Sequence, residues 1–265
     1  MILAMALLCL TGGAWAAQKT ELTWFGQSAF KIVTPEGHVL FIDPWLTNPV
    51  NPHGQADLEN TQKADLILIS HGHFDHVGDA NALAQKTKAR LVTTFDLGNA
   101  LAASGNYPKD QMGYDSLGNF GGTVRFFDNE VSITFIPAVH SSSVKDAHSD
   151  NTFYGGNPGG FLIAIKNGPT IYHTGDTDLF GDMALIPQYR PIDLMLTCIG
   201  DHFTMSPGGA AEAVALVKPG KVIPMHYGTF PKILTGTVED FKKALAKQHM
   251  ANKLEVMSIH VPKKF

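Results

Sequence analysis

Cysteine is nearly absent from this chain: there are two in 265 residues, Cys9 and Cys198. Cys9 lies in an amino-terminal segment expected to be removed. Cys198 then has no intrachain partner, which excludes a disulfide framework. Charge is also sparse, at 17% of residues, with no run of one sign and a formal net charge of −4. A mildly acidic chain without a basic face is a poor general nucleic-acid binder, because that affinity rests on Lys and Arg neutralising phosphates. Apolar runs of spanning length are missing too. Met1 to Leu10 is almost wholly apolar but falls short of the ~20 residues that a transmembrane helix needs. Internal repeats and low-complexity tracts are likewise lacking.

The amino terminus has the layout of a secretory signal peptide. The apolar run is broken by Thr11-Gly12-Gly13, and Ala14-Trp15-Ala16 is a small-x-small cleavage site before Ala17. No Lys or Arg precedes the run. Bulky Leu8 stands where a lipoprotein site at Cys9 would need a small residue. The expectation is an exported protein, periplasmic or secreted, with residues 1–16 removed and no stable membrane anchor. Residues 17–265 are enough for one sizeable core and one domain.

What the chain has is histidine, twelve in all, and three of them fall in His71-Gly72-His73-Phe74-Asp75-His76. This hexapeptide follows the apolar run Leu66-Ile67-Leu68-Ile69, which reads as a buried strand. A strand that stops at a loop crowded with imidazoles and a carboxylate fixes those groups at a sheet edge. Nitrogen and oxygen donors of this kind suit zinc and other borderline divalent metals. A polar surface turn seldom gathers three His and an Asp at such spacing.

The remaining pattern is β-rich at the start of each half and α/β-alternating at the end of each half. Strands are expected at 22–25, 29–33, 39–42, 66–70 and 91–94, with a helix over 78–87. A second β-rich stretch runs over 123–139. Strands near 161–166 and 170–173 follow, then helix 179–187, strand 193–198, helix 208–217, strand 221–225, helix 238–248 and strand 254–260. Two sheets packed face to face with helices outside, a four-layer αββα sandwich of the α/β class, accommodate this order. Residues 43–64 and 141–160 are expected to be long loops, of the length that usually serves a site.

Three further polar residues follow strands immediately. His140 ends the strand around Ser132–Ile136, Asp176 follows Thr170-Ile171-Tyr172, and His226 follows Val222-Ile223-Pro224-Met225. A lone His past a strand is more often structural, but three such placements beside the His-rich loop point to one gathered site.

This motif set resembles the metallo-β-lactamase superfamily, over about Leu22 to Phe265. Trp24-Phe25-Gly26-Gln27-Ser28, Phe41-Ile42-Asp43-Pro44-Trp45, Gly200-Asp201-His202-Phe203-Thr204-Met205 and Pro224-Met225-His226-Tyr227-Gly228-Thr229 narrow the likeness. They resemble the branch of small metal-dependent hydrolases related to ascorbate-6-phosphate lactonase. The resemblance implies two divalent ions, zinc by default, with manganese or iron also suited to such ligands. It puts His71, His73 and His140 on one ion, Asp75, His76 and His226 on the other, and Asp176 between them. A hydroxide between ions about 3.5–4 Å apart would then be the nucleophile, because bound water is acidified to a pKa near 7. Gln27 departs from the pattern, since relatives often have His there.

Several residues have supporting roles in this reading. Asp43 either fixes the tautomer of a ligand imidazole or serves the turn before Pro44. His202 either donates a proton to a leaving group or is structural. Asp178 is expected to cap helix 179–187, and His173 to lie in the core or behind a ligand. Trp45, Phe153 and Tyr154 are candidates for the mouth of the site. Asp75 and His202 are the candidate catalytic residues. The leading function is hydrolysis of a small-molecule ester, lactone or phosphoester. The alternatives are a β-lactamase-type amide hydrolase, a nuclease of the same superfamily and a non-catalytic metal-binding protein. Asp176 weighs against the lactamase, where another residue usually replaces it, and the acidic balance weighs against the nuclease.

Overall fold

Alternation along the first strands decides the layering. In a strand, successive side chains point to opposite faces. Leu40, Ile42, Leu66 and Leu68 accordingly enter one buried cluster, while Phe41, Ile67 and Ile69 enter another. The sheet that carries them is therefore covered on both sides.

The computed structural model describes residues 19–265. The expected leader, residues 1–16, lies outside them. In chain order the first half comprises β1 (Glu21–Trp24), β2 (Phe30–Val33), β3 (Val39–Ile42), α1 (Gly54–Asn60), β4 (Leu66–Leu68), α2 (Phe74–Val77), α3 (Ala80–Thr87), β5 (Arg90–Thr94), α4 (Phe95–Ala103) and β6 (Leu117–Gly118). There follow β7 (Thr123–Phe126), β8 (Val131–Pro137), β9 (Ser143–Lys145), β10 (Thr152–Tyr154), β11 (Gly159–Ile165), β12 (Thr170–His173) and α5 (Ile186–Tyr189). The chain closes with β13 (Leu194–Cys198), α6 (Pro207–Val217), β14 (Lys221–Met225), α7 (Val238–Lys247) and β15 (Lys263–Lys264).

One sheet has the order β15-β1-β2-β3-β4-β5-β6 and the other β14-β13-β12-β11-β8-β7. The inner faces share one core, in which Phe30, Leu40 and Leu68 of the first sheet join Ile133, Phe135 and Phe161 of the second. Helices α3 and α4 cover the outer face of the first sheet through Leu83, Ala84, Leu97 and Leu101. Helices α6 and α7 pack with the second through Val214, Val217, Phe241 and Leu245. This is the expected αββα sandwich. No helix among the described residues is long and apolar enough to cross a membrane.

Strand direction places the site. Strands β3, β4 and β5 run parallel, as do β12, β13 and β14. Strand β8 is antiparallel to β11, which is antiparallel to β12, so β8 points the same way as β12. The carboxyl ends of β8, β12 and β14 thus share one edge of the second sheet. The two sheets are tied at that edge by backbone bonds from Gly159 N to Ser70 O (3.1 Å) and from His226 N to Gln27 O (3.0 Å).

Several expectations are corrected here. The segment 43–64 holds helix α1, and 141–160 holds the β9–β10 hairpin, paired Thr152↔Lys145 to Tyr154↔Ser143. Neither is a bare loop. Residues 254–260 form no strand. Glu255 N bonds to Val222 O on the second sheet and His260 N to Trp24 O on the first, so this segment crosses between the sheets and cannot lie along either. The helix expected at 179–187 is a 3₁₀ turn, Gly181–Leu185, running into α5. Asp178 does not cap it; its Oδ1 accepts from Leu179 N. By contrast α6 starts where Ser206 accepts from Gly209 N and Pro207 opens the first turn.

Gly175 is the backbone position on which the edge depends. Its φ is +62°, and a Cβ there would lie 2.3 Å from Gly159 O and 3.1 Å from the Ser70 side chain. Gly175→Ala should therefore lower stability by about 1–3 kcal/mol, the cost of a strained backbone, and displace Asp176 beside it. Gly181→Ala, where a Cβ meets nothing within 4 Å, should be close to neutral. Thermal unfolding of the two variants checks this, and equal melting temperatures would contradict it.

Candidate metal centre

The His-rich loop leaves β4 and is held on both sides. On one side Asp43, at the end of β3, takes Ser70 N on Oδ1 (2.7 Å) and Ser70 Oγ on Oδ2 (2.6 Å). On the other, the β9 end of the hairpin closes down: Gly72 N donates to Ser142 Oγ (3.0 Å), and a Cβ on Gly72 would meet Val144 at 2.7 Å. His73 starts the single turn α2, which turns Asp75 and His76 inward and leaves Phe74 exposed.

The loop then meets the three residues from the second sheet. His71 Nε2 lies 3.0 Å from His73 Nδ1, and His140 Nε2 lies 3.3 Å from the same atom. These three converge as one group that could hold a metal; Asp75, His76, Asp176 and His226 form a second. Asp176 Oδ2 faces both. It is 4.0 Å from His71 Nε2, 3.9 Å from His140 Nε2, 3.2 Å from His76 Nε2 and 2.9 Å from His226 Nε2. Asp75 Oδ2 lies 3.6 Å from His76 Nε2 and 3.4 Å from His226 Nε2.

The donor set fits cations better than it fits hydrogen bonding. His76 Nε2, His226 Nε2 and Asp176 Oδ1 are buried without a hydrogen-bond partner; the ring nitrogens approach Asp176 without the alignment of a bond. Unpaired buried polar atoms are costly, and a native cluster of them calls for an ion. Electrostatics agree. Burial opposes charge on Asp75, but the neighbouring His76 and His226 rings outweigh it and hold its carboxyl at about 2. Burial opposes charge on His226 as well, yet Asp176 and Asp75 raise it to about 9. His76 is raised well above its ordinary value, against its burial, chiefly by Asp176, then Asp75 and Asp43. His71, His73 and His140 are lowered, first by burial. The second group thus draws positive charge, and the first offers neutral nitrogens ready to coordinate.

Supporting contacts sort the other candidates. Asp43 fixes His76, whose Nδ1 donates to Asp43 Oδ2 at 2.7 Å, leaving Nε2 toward the cluster. His71 Nδ1 is 3.1 Å from Ser70 Oγ. His173 is a core residue: Nε2 donates to Ser28 O (3.1 Å) and Nδ1 accepts from Gly175 N (3.1 Å). His202 is not brought in. It is exposed, its ring packs against Phe203, and it does not line the cavity over the cluster. Phe153 and Tyr154 lie on the hairpin and do not line the cavity, and Trp45 packs against Phe74 and Phe230 without lining it. The mouth is made by Phe74, Phe203, Phe230 and Ile233; Phe74 and Phe203 lie inside motifs read from the sequence, but nothing there marked them as lining the site.

Gln27 is more than a departure from pattern. Its Nε2 donates to Asp75 Oδ2 at 2.8 Å, and its carbonyl takes both His226 N and Trp24 Nε1 at 3.0 Å. One residue therefore holds two members of the second group. Gln27, Asp43 and His226 all have positive φ, at 47°, 44° and 57°. Strain of this kind collects at functional sites.

A sequence model described as the beta-lactamase superfamily domain matches residues 38–227, a span that contains all seven clustered residues. The UPF0173 metal-dependent hydrolase of Thermodesulfovibrio yellowstonii is 51% identical over 255 residues, covering 96% of this chain and 94% of that protein. Its counterpart in Anaeromyxobacter sp. (strain K) is 56% identical over 236 residues, covering 87% and 82%. Among solved structures, Igni18, a metallo hydrolase of the archaeon Ignicoccus hospitalis, is similar with a TM-score of 0.78 and 33% identity, over 94% of this chain and all of that one.

A cation entering the second group must displace the proton that His226 holds below about pH 9. Metal binding should therefore release protons at pH 7.5, and affinity should rise with pH toward that value. Titration calorimetry with zinc in buffers of different ionisation enthalpy measures the release. Binding heat independent of buffer would contradict the account.

Proposed function

This chain belongs to the beta-lactamase superfamily of metal-dependent hydrolases, and we propose that it uses two divalent cations to hydrolyse a small ester, lactone or phosphoester. The observation that carries this reading is the position of Asp176 Oδ2, within 4.0 Å of imidazole nitrogens from both groups. One carboxylate facing two sets of donors is what a shared ligand requires. His71, His73 and His140 would hold one ion and Asp75, His76 and His226 the other, with Asp176 common to both. Zinc suits the nitrogen and oxygen donors, and manganese or iron is accommodated by the same set. Bound there, the ions would polarise the oxygen of the scissile bond and acidify water for attack.

The chain's own residues do the rest. Asp75 lines the cavity, and its Oδ2 is fixed by Gln27. It would orient the attacking water and pass on its proton. Asp43 holds His76 in one tautomer through a bond that is wholly buried. A cavity of about 520 Å³ over the cluster supports a small-molecule substrate. The reading includes export, supported by the leader-like layout of residues 1–16.

Two variants test the roles. Asp75→Asn keeps the shape and removes the charge, so kcat should fall by at least ~10²-fold even in excess metal. His202→Ala should keep full metal content and lower kcat by less than about tenfold, because His202 stands outside the cavity; a general acid would cost roughly 10²–10⁴-fold. Steady-state kinetics with metal analysis of each variant decides. An active Asp75→Asn enzyme would remove the water-orienting role, and a large loss in His202→Ala would make His202 the proton donor.

A further inference from the structure

The cavity above the cluster is two-sided in character. Its floor is polar: Gln27, His73, Asp75, His140, Asp176 and His226. Its wall is carbon: Phe74, Phe203, Phe230, Ile233 and Leu234, with no Lys or Arg in the lining. Phe74, Phe203 and Ile233 are 67%, 56% and 42% exposed. Large apolar side chains gathered in the open around one mouth mark a binding surface. They are braced, too. Trp45 meets Phe74 edge-on at 5.5 Å and stacks on Phe230 at 6.1 Å, and Phe74 and Phe230 are 6.5 Å apart. Leu234, 3% exposed, backs the wall.

Resting on the hydrolase reading above, we propose that the substrate is an uncharged carboxylic ester or lactone bearing an apolar chain or ring, which packs against Phe74, Phe203, Phe230 and Ile233 while its carbonyl faces the cluster. A phosphoester keeps anionic oxygens beyond the one that reacts. Those oxygens are normally met by Arg, Lys or clustered N–H donors. Here the wall offers them carbon, and the polar side chains left beside the proposed ligands are the Gln27 amide and the Ser141 hydroxyl. An apolar group loses nothing against that wall and gains with each methylene it removes from water. The narrowing from ester, lactone or phosphoester to the first two, and to their apolar members, follows from this lining. The water adds to the carbonyl carbon, the acyl–oxygen bond breaks, and the alcohol leaves with the proton taken up on attack, so acid and alcohol are the products.

The test has a kinetic arm and a binding arm, both on the zinc-loaded full chain. The kinetic arm follows kcat/KM for p-nitrophenyl acetate, butyrate and hexanoate, with p-nitrophenyl phosphate and bis-p-nitrophenyl phosphate alongside. The value should rise about three- to fourfold per added methylene, the gain for burying one such group, and the phosphoesters should be the poorest substrates. Phe203→Ser and Ile233→Ser, both exposed loop changes, should flatten that slope and leave metal content unchanged. The binding arm uses N-phenyl-1-naphthylamine, an uncharged apolar fluorophore. Wild-type protein should bind it with enhanced fluorescence, and each variant should bind it at least about fivefold less tightly, the equivalent of one or two lost methylene contacts. Ester cleavage with no chain-length preference, or a preference for phosphoesters, would overturn the apolar substrate and leave the hydrolase reading standing. Fluorophore binding that the variants weaken, with no cleavage of any substrate, would overturn the hydrolase reading and keep the apolar site. Fluorophore binding unaffected by either variant would overturn the site.

Discussion

Everything at the working edge of this protein depends on one buried carboxylate. Asp176 is 2% exposed and surrounded by ring nitrogens. Removing a carboxylate from water is costly unless positive charge meets it. Protons on His76 and His226 can supply that charge, and so can cations shared with His71, His73 and His140. The seven side chains are thus one electrostatic unit. The loss of any one leaves the others with charge or lone pairs that have no partner.

The fold exists to hold that unit. Two three-strand parallel blocks, β3-β4-β5 and β12-β13-β14, direct their carboxyl ends to the edge where ligands collect in open α/β sheets. Neither sheet carries the set alone: the His-rich loop comes from the first, and His140, Asp176 and His226 from the second. The core between the sheets, where Phe30 and Leu68 meet Phe135 and Phe161, therefore sets the distance between the two halves of the site. The ties from Gly159 to Ser70 and from His226 to Gln27 transmit that spacing to the cluster. Stability and site geometry are the same problem here, and Gly175, pressed against Gly159 and Ser70 beside Asp176, serves both.

Much of this was legible in the sequence, for physical reasons. The residues of the cluster stood out because they follow short apolar runs, and a strand end is a place where a side chain is both fixed and free of the core. The layers were legible because Leu40, Phe41 and Ile42 alternate between two cores. What escaped reading depended on contacts distant in sequence. The β9–β10 hairpin has strands of only three residues, held down where Ser142 and Val144 close over Gly72. Residues 254–260 look like a strand but are drawn to two sheets at once. His202 follows the edge and still turns to solvent at a left-handed backbone. Phe153 and Tyr154 do not line the cavity, whereas Phe203 and Phe230 do. Gln27 showed itself only through its bonds to Asp75 and His226.

The central claim is that Asp176 serves two ions at once. Native mass spectrometry of zinc-loaded wild type and Asp176→Ala tests it most directly. The account predicts two zinc ions per chain in the wild type and loss of both in the variant. A wild type that saturates at one ion, or a variant that keeps two, would contradict it.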